Sequence, residues 1–83
     1  MSEIESKKLH EINNAFKGED YFLANSLLIE LCKISPNKYE YQLNLAVTYR
    51  KINKPQLAYE TYLLAKKINN KDPILYFNLA NLL

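Results

Sequence analysis

Glycine is almost missing from this chain: Gly18 stands alone among 83 residues, tryptophan is absent, and methionine and cysteine occur once each. A lone cysteine, Cys32, excludes an internal disulfide and a cysteine-built metal cluster. It sits in the apolar run "LLIELCKI", where the role expected of it is that of a small buried hydrophobe. Because turn residues are so scarce, Gly18 and the three prolines, Pro36, Pro55 and Pro73, read as joints in a helix-permissive background. No apolar run approaches membrane-spanning length and the opening "MSEIESKK" has no signal-type apolar core, so neither a membrane partner nor export is expected. A cytoplasmic location follows as the default.

Neither sign of charge dominates. A net charge of +2 is too small for a nucleic-acid partner, which would call for a clustered basic face. Residues 1–36 carry four lysines against six acidic residues, and residues 37–83 carry seven basic against three acidic ones. This mild asymmetry is read as the solvated outer faces of helices. Catalytic chemistry is sparse as well. His10 has no cysteine, serine or acidic partner at catalytic spacing, and neither a glycine-rich phosphate loop nor a pair of metal-ligand motifs occurs. No catalytic residue, cofactor or metal is therefore expected, and the chain is read as a non-enzyme.

What is present is hydrophobic periodicity, in a length that suits one small domain. Apolar residues at Ile4, Leu9, Ile12, Ala15 and Phe16 recur at spacings of three and four, which predicts a helix over about 4–17. Gly18 is expected to end it in the left-handed conformation, and Asp20 to cap the next helix, about 20–34, which carries Tyr21, Leu23, Ala24, Leu27, Leu28, Leu31 and Ile34. "SPN" stops that helix, since Pro36 disfavours helical geometry in the residue before it. A third helix spans "KYEYQLNLAVTYRKI", with Leu45, Ala46 and Tyr49 on one face and Tyr41 and Thr48 beside it. Pro55 opens a fourth, about 55–69, through Leu57, Ala58, Thr61, Tyr62, Ala65 and Ile68. "ILYFNLANLL" begins a fifth. Short joints force neighbouring helices to pack antiparallel, so the fold class is all-α.

The fragment "NLA" occurs twice, at residues 44–46 and 78–80, and shifting the chain against itself by 34 residues also lays Ala24 on Ala58, Leu28 on Tyr62, Leu31 on Ala65 and Ile34 on Ile68. Helix pairs repeating at that period are the mark of a solenoid. On these residues the chain resembles a tetratricopeptide repeat (TPR) protein. With Tyr39 taken as the first position of the complete repeat, Leu45, Ala46, Tyr49, Ala58, Tyr62 and Ala65 fill the family's characteristic places, while Gln42 stands where tryptophan is usual and Asn53 where the turn has glycine. The preceding unit matches through Tyr21, Ala24, Leu28, Ile34 and Pro36, although its internal turn reads as one residue short. The resemblance implies a right-handed α-α superhelix of antiparallel hairpins, with repeat 1 over about 5–38, repeat 2 over 39–72 and a partial repeat 3 over 73–83. A plain helical bundle and another helical-hairpin solenoid are the rival all-α readings.

For function, the resemblance implies a protein-interaction scaffold that holds a peptide or helix in a concave groove. The groove candidates are Leu43, Asn44, Val47, Arg50 and Lys51, with Glu40, in the complete repeat and Phe77, Asn78 and Asn81, with Ile74, in the last; His10, Glu11, Asn14 and Lys17 would line the first. Side-chain amides can donate to and accept from an extended backbone, Leu43, Val47 and Phe77 offer apolar contact, and Arg50 and Lys51 suit an acidic group. The clamp by which one subfamily holds acidic chaperone tails is incomplete here, because His10 stands for a lysine, and Ile74 and Asn78 for a lysine and an arginine. Chaperone-tail binding by that mode is not expected.

The end of the sequence raises a second reading. Leu75 and Leu82 are expected to pack on the preceding helices, leaving Tyr76, Leu79, Ala80 and Leu83 without cover. Burying a leucine-sized side chain gains about 1.5–3 kcal/mol, so these four are the candidate self-association residues of a homo-oligomer. The alternatives to a scaffold are thus a self-assembling repeat module, or the N-terminal module of a longer protein whose effector or catalytic domain lies elsewhere.

Overall fold

Each helix boundary has a local cause. In the computed structural model, which describes residues 2–82, the order is α1 (Glu3–Lys17), α2 (Tyr21–Ile34), α3 (Tyr39–Lys51), α4 (Pro55–Ile68) and α5 (Pro73–Leu82). Helix α1 starts at Ser2, whose Oγ accepts from the Glu5 amide at 3.1 Å. Helix α2 starts at Asp20, whose Oδ1 accepts from the Leu23 amide at 3.1 Å, the capping bond read from the sequence. Pro55 occupies the first turn of α4, where its missing donor costs nothing. Asp72 opens α5, with Oδ1 accepting from the Ile74 amide at 3.0 Å.

The turn after α1 departs from expectation in two ways. Gly18 lies at φ −86°, not in the left-handed region, and the left-handed residue is its neighbour Glu19, at φ 57°. The register of the closing hydrogen bonds, rather than the residue type, decides which position turns over. The Gly18 amide donates to the Asn14 carbonyl, the Glu19 amide to Phe16 and the Asp20 amide to Ala15. Thirty-four residues later the Ile52, Asn53 and Lys54 amides donate in the same way to Thr48, Arg50 and Tyr49, and Asn53 is left-handed at φ 63°. The two turns have the same length, so the first is not one residue short.

Helices pack in sequence order as antiparallel neighbours, and α3 also touches α5. The result is an all-α domain with two core clusters that meet at α3. The first joins Ile12 of α1, Leu27, Leu28 and Leu31 of α2, and Tyr41 and Leu45 of α3, with Cys32 partly buried against it. Burial pushes the Cys32 thiol up to about 11, which suits an inert hydrophobe. The second cluster joins Ala46 of α3, Ala58, Tyr62 and Ala65 of α4, and Leu75 of α5. The three alanines are fully inaccessible. Side chains this small let α3 and α4 approach closely, and Tyr62 fills the space beside them.

Helix α3 is covered on more sides than its periodicity suggests. Thr48 is fully buried: its hydroxyl donates to the Leu45 carbonyl at 2.7 Å and accepts from Asn25 Nδ2 of α2 at 3.1 Å. Gln42, also buried, donates through Nε2 to the Pro36 carbonyl at 2.9 Å and so holds the joint between α2 and α3. A buried amide with its hydrogen bond made avoids the cost of an unpaired polar group.

Candidate functional site

Two tyrosines in the short stretch "YEY" set α3 against the helices on either side of it. Tyr41 donates its hydroxyl back to Glu5 Oε2 at the start of α1, at 2.9 Å, while Ser35 Oγ donates to Glu5 Oε1 at 3.3 Å and Lys38 Nζ lies 3.7 Å from Oε2. These partners, the Tyr41 hydroxyl foremost, hold the Glu5 carboxyl below its ordinary value. Tyr39 donates forward to Asp72 Oδ2 at 2.8 Å, and burial with the adjacent Asp72 carboxylate pushes the Tyr39 hydroxyl well up. Asp72 therefore caps α5 and ties it to α3 with the same carboxylate.

That tie joins the two helices that carry one set of sequence candidates. On α3, Leu43 and Val47 are half-buried and pack against the second cluster, which includes Leu75 of α5. Asn44 and Lys51 are exposed beside them. On α5, Phe77 is 67 % exposed, Asn78 is half-buried and Asn81 is exposed. Helices α3 and α5 thus carry between them apolar side chains, three side-chain amides and a cationic end. Arg50 is half-buried and makes no ion pair among the described residues; its guanidinium, with Nε buried, lies beside the buried Tyr62 hydroxyl of α4. The first-helix candidates lie apart on α1, where Asn14 Nδ2 and His10 Nε2, 3.4 Å from one another, are both exposed.

The candidates for self-association occupy a different side of α5. Tyr76 is 43 % exposed and Ala80 is exposed, whereas Leu79 is half-buried on the second cluster together with Leu82. Leu83 lies outside the described residues. An open cleft of about 360 Å³ beside Leu82, lined by Pro55, Gln56 and Tyr59, was not foreseen. Its signal was available in the 34-residue shift: Tyr59 falls on Asn25, which on α2 bonds Thr48 of the next helix.

Among the described residues no group of His, Cys, Asp or Glu is placed to hold a metal ion, and no helix is long and apolar enough to cross a membrane. No protein-family model matches the chain, and no curated protein matches it either.

Proposed function

We propose that this chain is a TPR-like module, a right-handed solenoid of helical hairpins, that captures a peptide or helix of a partner protein on the surface shared by α3 and α5. The identical bonding of the two turns, 34 residues apart, supports the repeat. So does the matched burial of Ala24 with Ala58, Leu28 with Tyr62 and Leu31 with Ala65, and the left-handed Asn53 in the place where the family has glycine.

The observation that carries the functional reading is the direct contact of α3 with α5: Leu43 and Val47 pack on the cluster that holds Leu75 of α5, and α5 leaves Phe77 67 % exposed. An extended peptide would lay apolar side chains on Leu43, Val47 and Phe77 and exchange backbone hydrogen bonds with Asn44, Asn78 and Asn81. The exposed ammonium of Lys51 favours an acidic group at one end of the ligand.

Selection of displayed peptides against the full chain tests this. Enriched peptides should lose about tenfold or more in affinity to the double variant Asn44→Ala, Asn78→Ala, since each net hydrogen bond is worth about 0.5–1.5 kcal/mol. Gln56→Ala, away from this surface, should leave affinity unchanged. No enrichment, or binding indifferent to the double variant, would refute the proposal.

A further inference from the structure

We infer that one recurring clasp sets each helical hairpin on the next, and that its second occurrence, Tyr39 with Asp72 and Leu75, positions α5 on α3. Its bearing on ligand capture rests on the peptide-capture reading; the clasp itself does not.

The two sets of residues occupy matching places. Glu5 of α1 meets Lys38, whose Nζ lies 3.7 Å from Oε2, and Tyr41, whose hydroxyl donates to the same oxygen at 2.9 Å. Moved along by 34 residues, Glu5, Lys38 and Tyr41 become Tyr39, Asp72 and Leu75. That second set also meets. The Tyr39 hydroxyl donates to Asp72 Oδ2 at 2.8 Å, and the Tyr39 side chain packs on the cluster that holds Leu75.

The chemistry is exchanged while the places are kept. At the first junction a carboxylate on the earlier helix is held by an ammonium and a hydroxyl that follow it. At the second a hydroxyl on the earlier helix is held by a carboxylate that follows it, and a leucine stands where the first has a tyrosine. No residue type is shared between the two sets, so a comparison of identities passes over them. In both, the middle residue stands immediately before the next helix, Lys38 before α3 and Asp72 before α5. A bond at that point fixes where the next helix begins relative to the one before it.

At the second junction the anchor is ordered from both sides. Asp72 Oδ1 accepts from the Ile74 amide at 3.0 Å, and the Asp72 carbonyl accepts from the Leu75 amide at 3.1 Å. Leu75 is fully inaccessible. Among the described residues no other side-chain hydrogen bond joins α3 to α5 or to the residue before it. Phe77 and Asn78 follow Asp72 within about two helical turns. A shift of α5 about this anchor therefore moves both of them relative to Asn44 of α3, which makes Tyr39 and Asp72 positioning residues for the surface that the two helices share.

Amide hydrogen exchange on the full chain reads the clasp without any ligand. Tyr39→Phe keeps the ring and removes the hydroxyl, and should speed exchange along α5 by about tenfold or more, the scale of a lost hydrogen bond to a charged group. Exchange along α1 should not change. Tyr41→Phe should do the converse, quickening α1 and leaving α5 as it was. Exchange along α5 that is unchanged in Tyr39→Phe, or quickened equally by Tyr41→Phe, would overturn the clasp. The positioning role has its own readout in the affinity for a peptide selected on the chain. Tyr39→Phe combined with Asn78→Ala should cost less than the two single losses together, because α5 is already displaced, whereas combined with Asn44→Ala it should cost their sum. A general weakening of the fold would add alike in both pairs, and that result would overturn the positioning role. Failure to select any peptide counts against the capture reading alone, since the exchange test decides the clasp independently.

Discussion

Replacing Glu19 with glycine, while giving up the glycine beside it, sets the turn geometry against the expectation that composition alone would raise. Glu19 holds φ 57°, a conformation that costs an L-residue about 1–2 kcal/mol. Glycine removes that cost but adds about 0.5–1 kcal/mol of unfolded-chain entropy. The net gain for Glu19→Gly is therefore about 0–1.5 kcal/mol, centred on ~0.75 kcal/mol. At 4–8 °C per kcal/mol for a domain of this size, the melting temperature should rise by roughly 3–6 °C at the centre of that range. Gly18, in contrast, lies at φ −86°, where any residue is at ease, and a Cβ built there meets the Asn14 and Ala15 carbonyl oxygens at 3.6 and 3.9 Å, ordinary contact distances. Gly18→Ala should therefore stabilise by about 0.4–1 kcal/mol through the unfolded chain. Thermal melts followed by far-ultraviolet circular dichroism, at low protein concentration, read both. A loss of more than about 1 kcal/mol in Gly18→Ala, or any loss in Glu19→Gly, would refute the placement of the left-handed residue.

Stability should fall at both ends of the pH scale. The folded Glu5 carboxyl lies below the ordinary glutamate value of about 4.3, so its contribution is present above that value and lost as pH falls through the depressed one; Tyr41→Phe, removing its main donor, should flatten the acid limb of melting temperature against pH. Burial raises the Tyr39, Tyr41 and Tyr62 hydroxyls, so their contribution is complete below an ordinary tyrosine value of about 10 and lost as pH rises beyond it. In the second core, Ala58→Leu should cost about 1–3 kcal/mol in urea denaturation by overpacking the α3–α4 contact, whereas Leu64→Ala, at a half-exposed position of the same helix, should cost less than about 1 kcal/mol.

The helices were legible because their causes are local. Apolar spacing, the Asp20 cap and the positions of Pro36 and Pro55 lie within a few residues of the boundaries they set. What could not be read depends on geometry between distant residues. Glu5 lies 36 positions from Tyr41, and Tyr39 lies 33 from Asp72. Nothing local to Glu5 distinguishes a buried, hydrogen-bonded carboxylate from the solvated acid that a helix N-terminus ordinarily carries. Thr48 reads as a flanking polar residue until Asn25 is brought to it from another helix. In the candidate site the apolar character of Leu43 and Val47 was plain, but not that they half-bury against a cluster drawn from α3, α4 and α5, since that follows from how those helices are seated on one another. For the same reason Leu79 reads as uncovered and is half-buried: the sequence marks it apolar, and only the packing against α3 and α4 decides how much of it α5 turns inward.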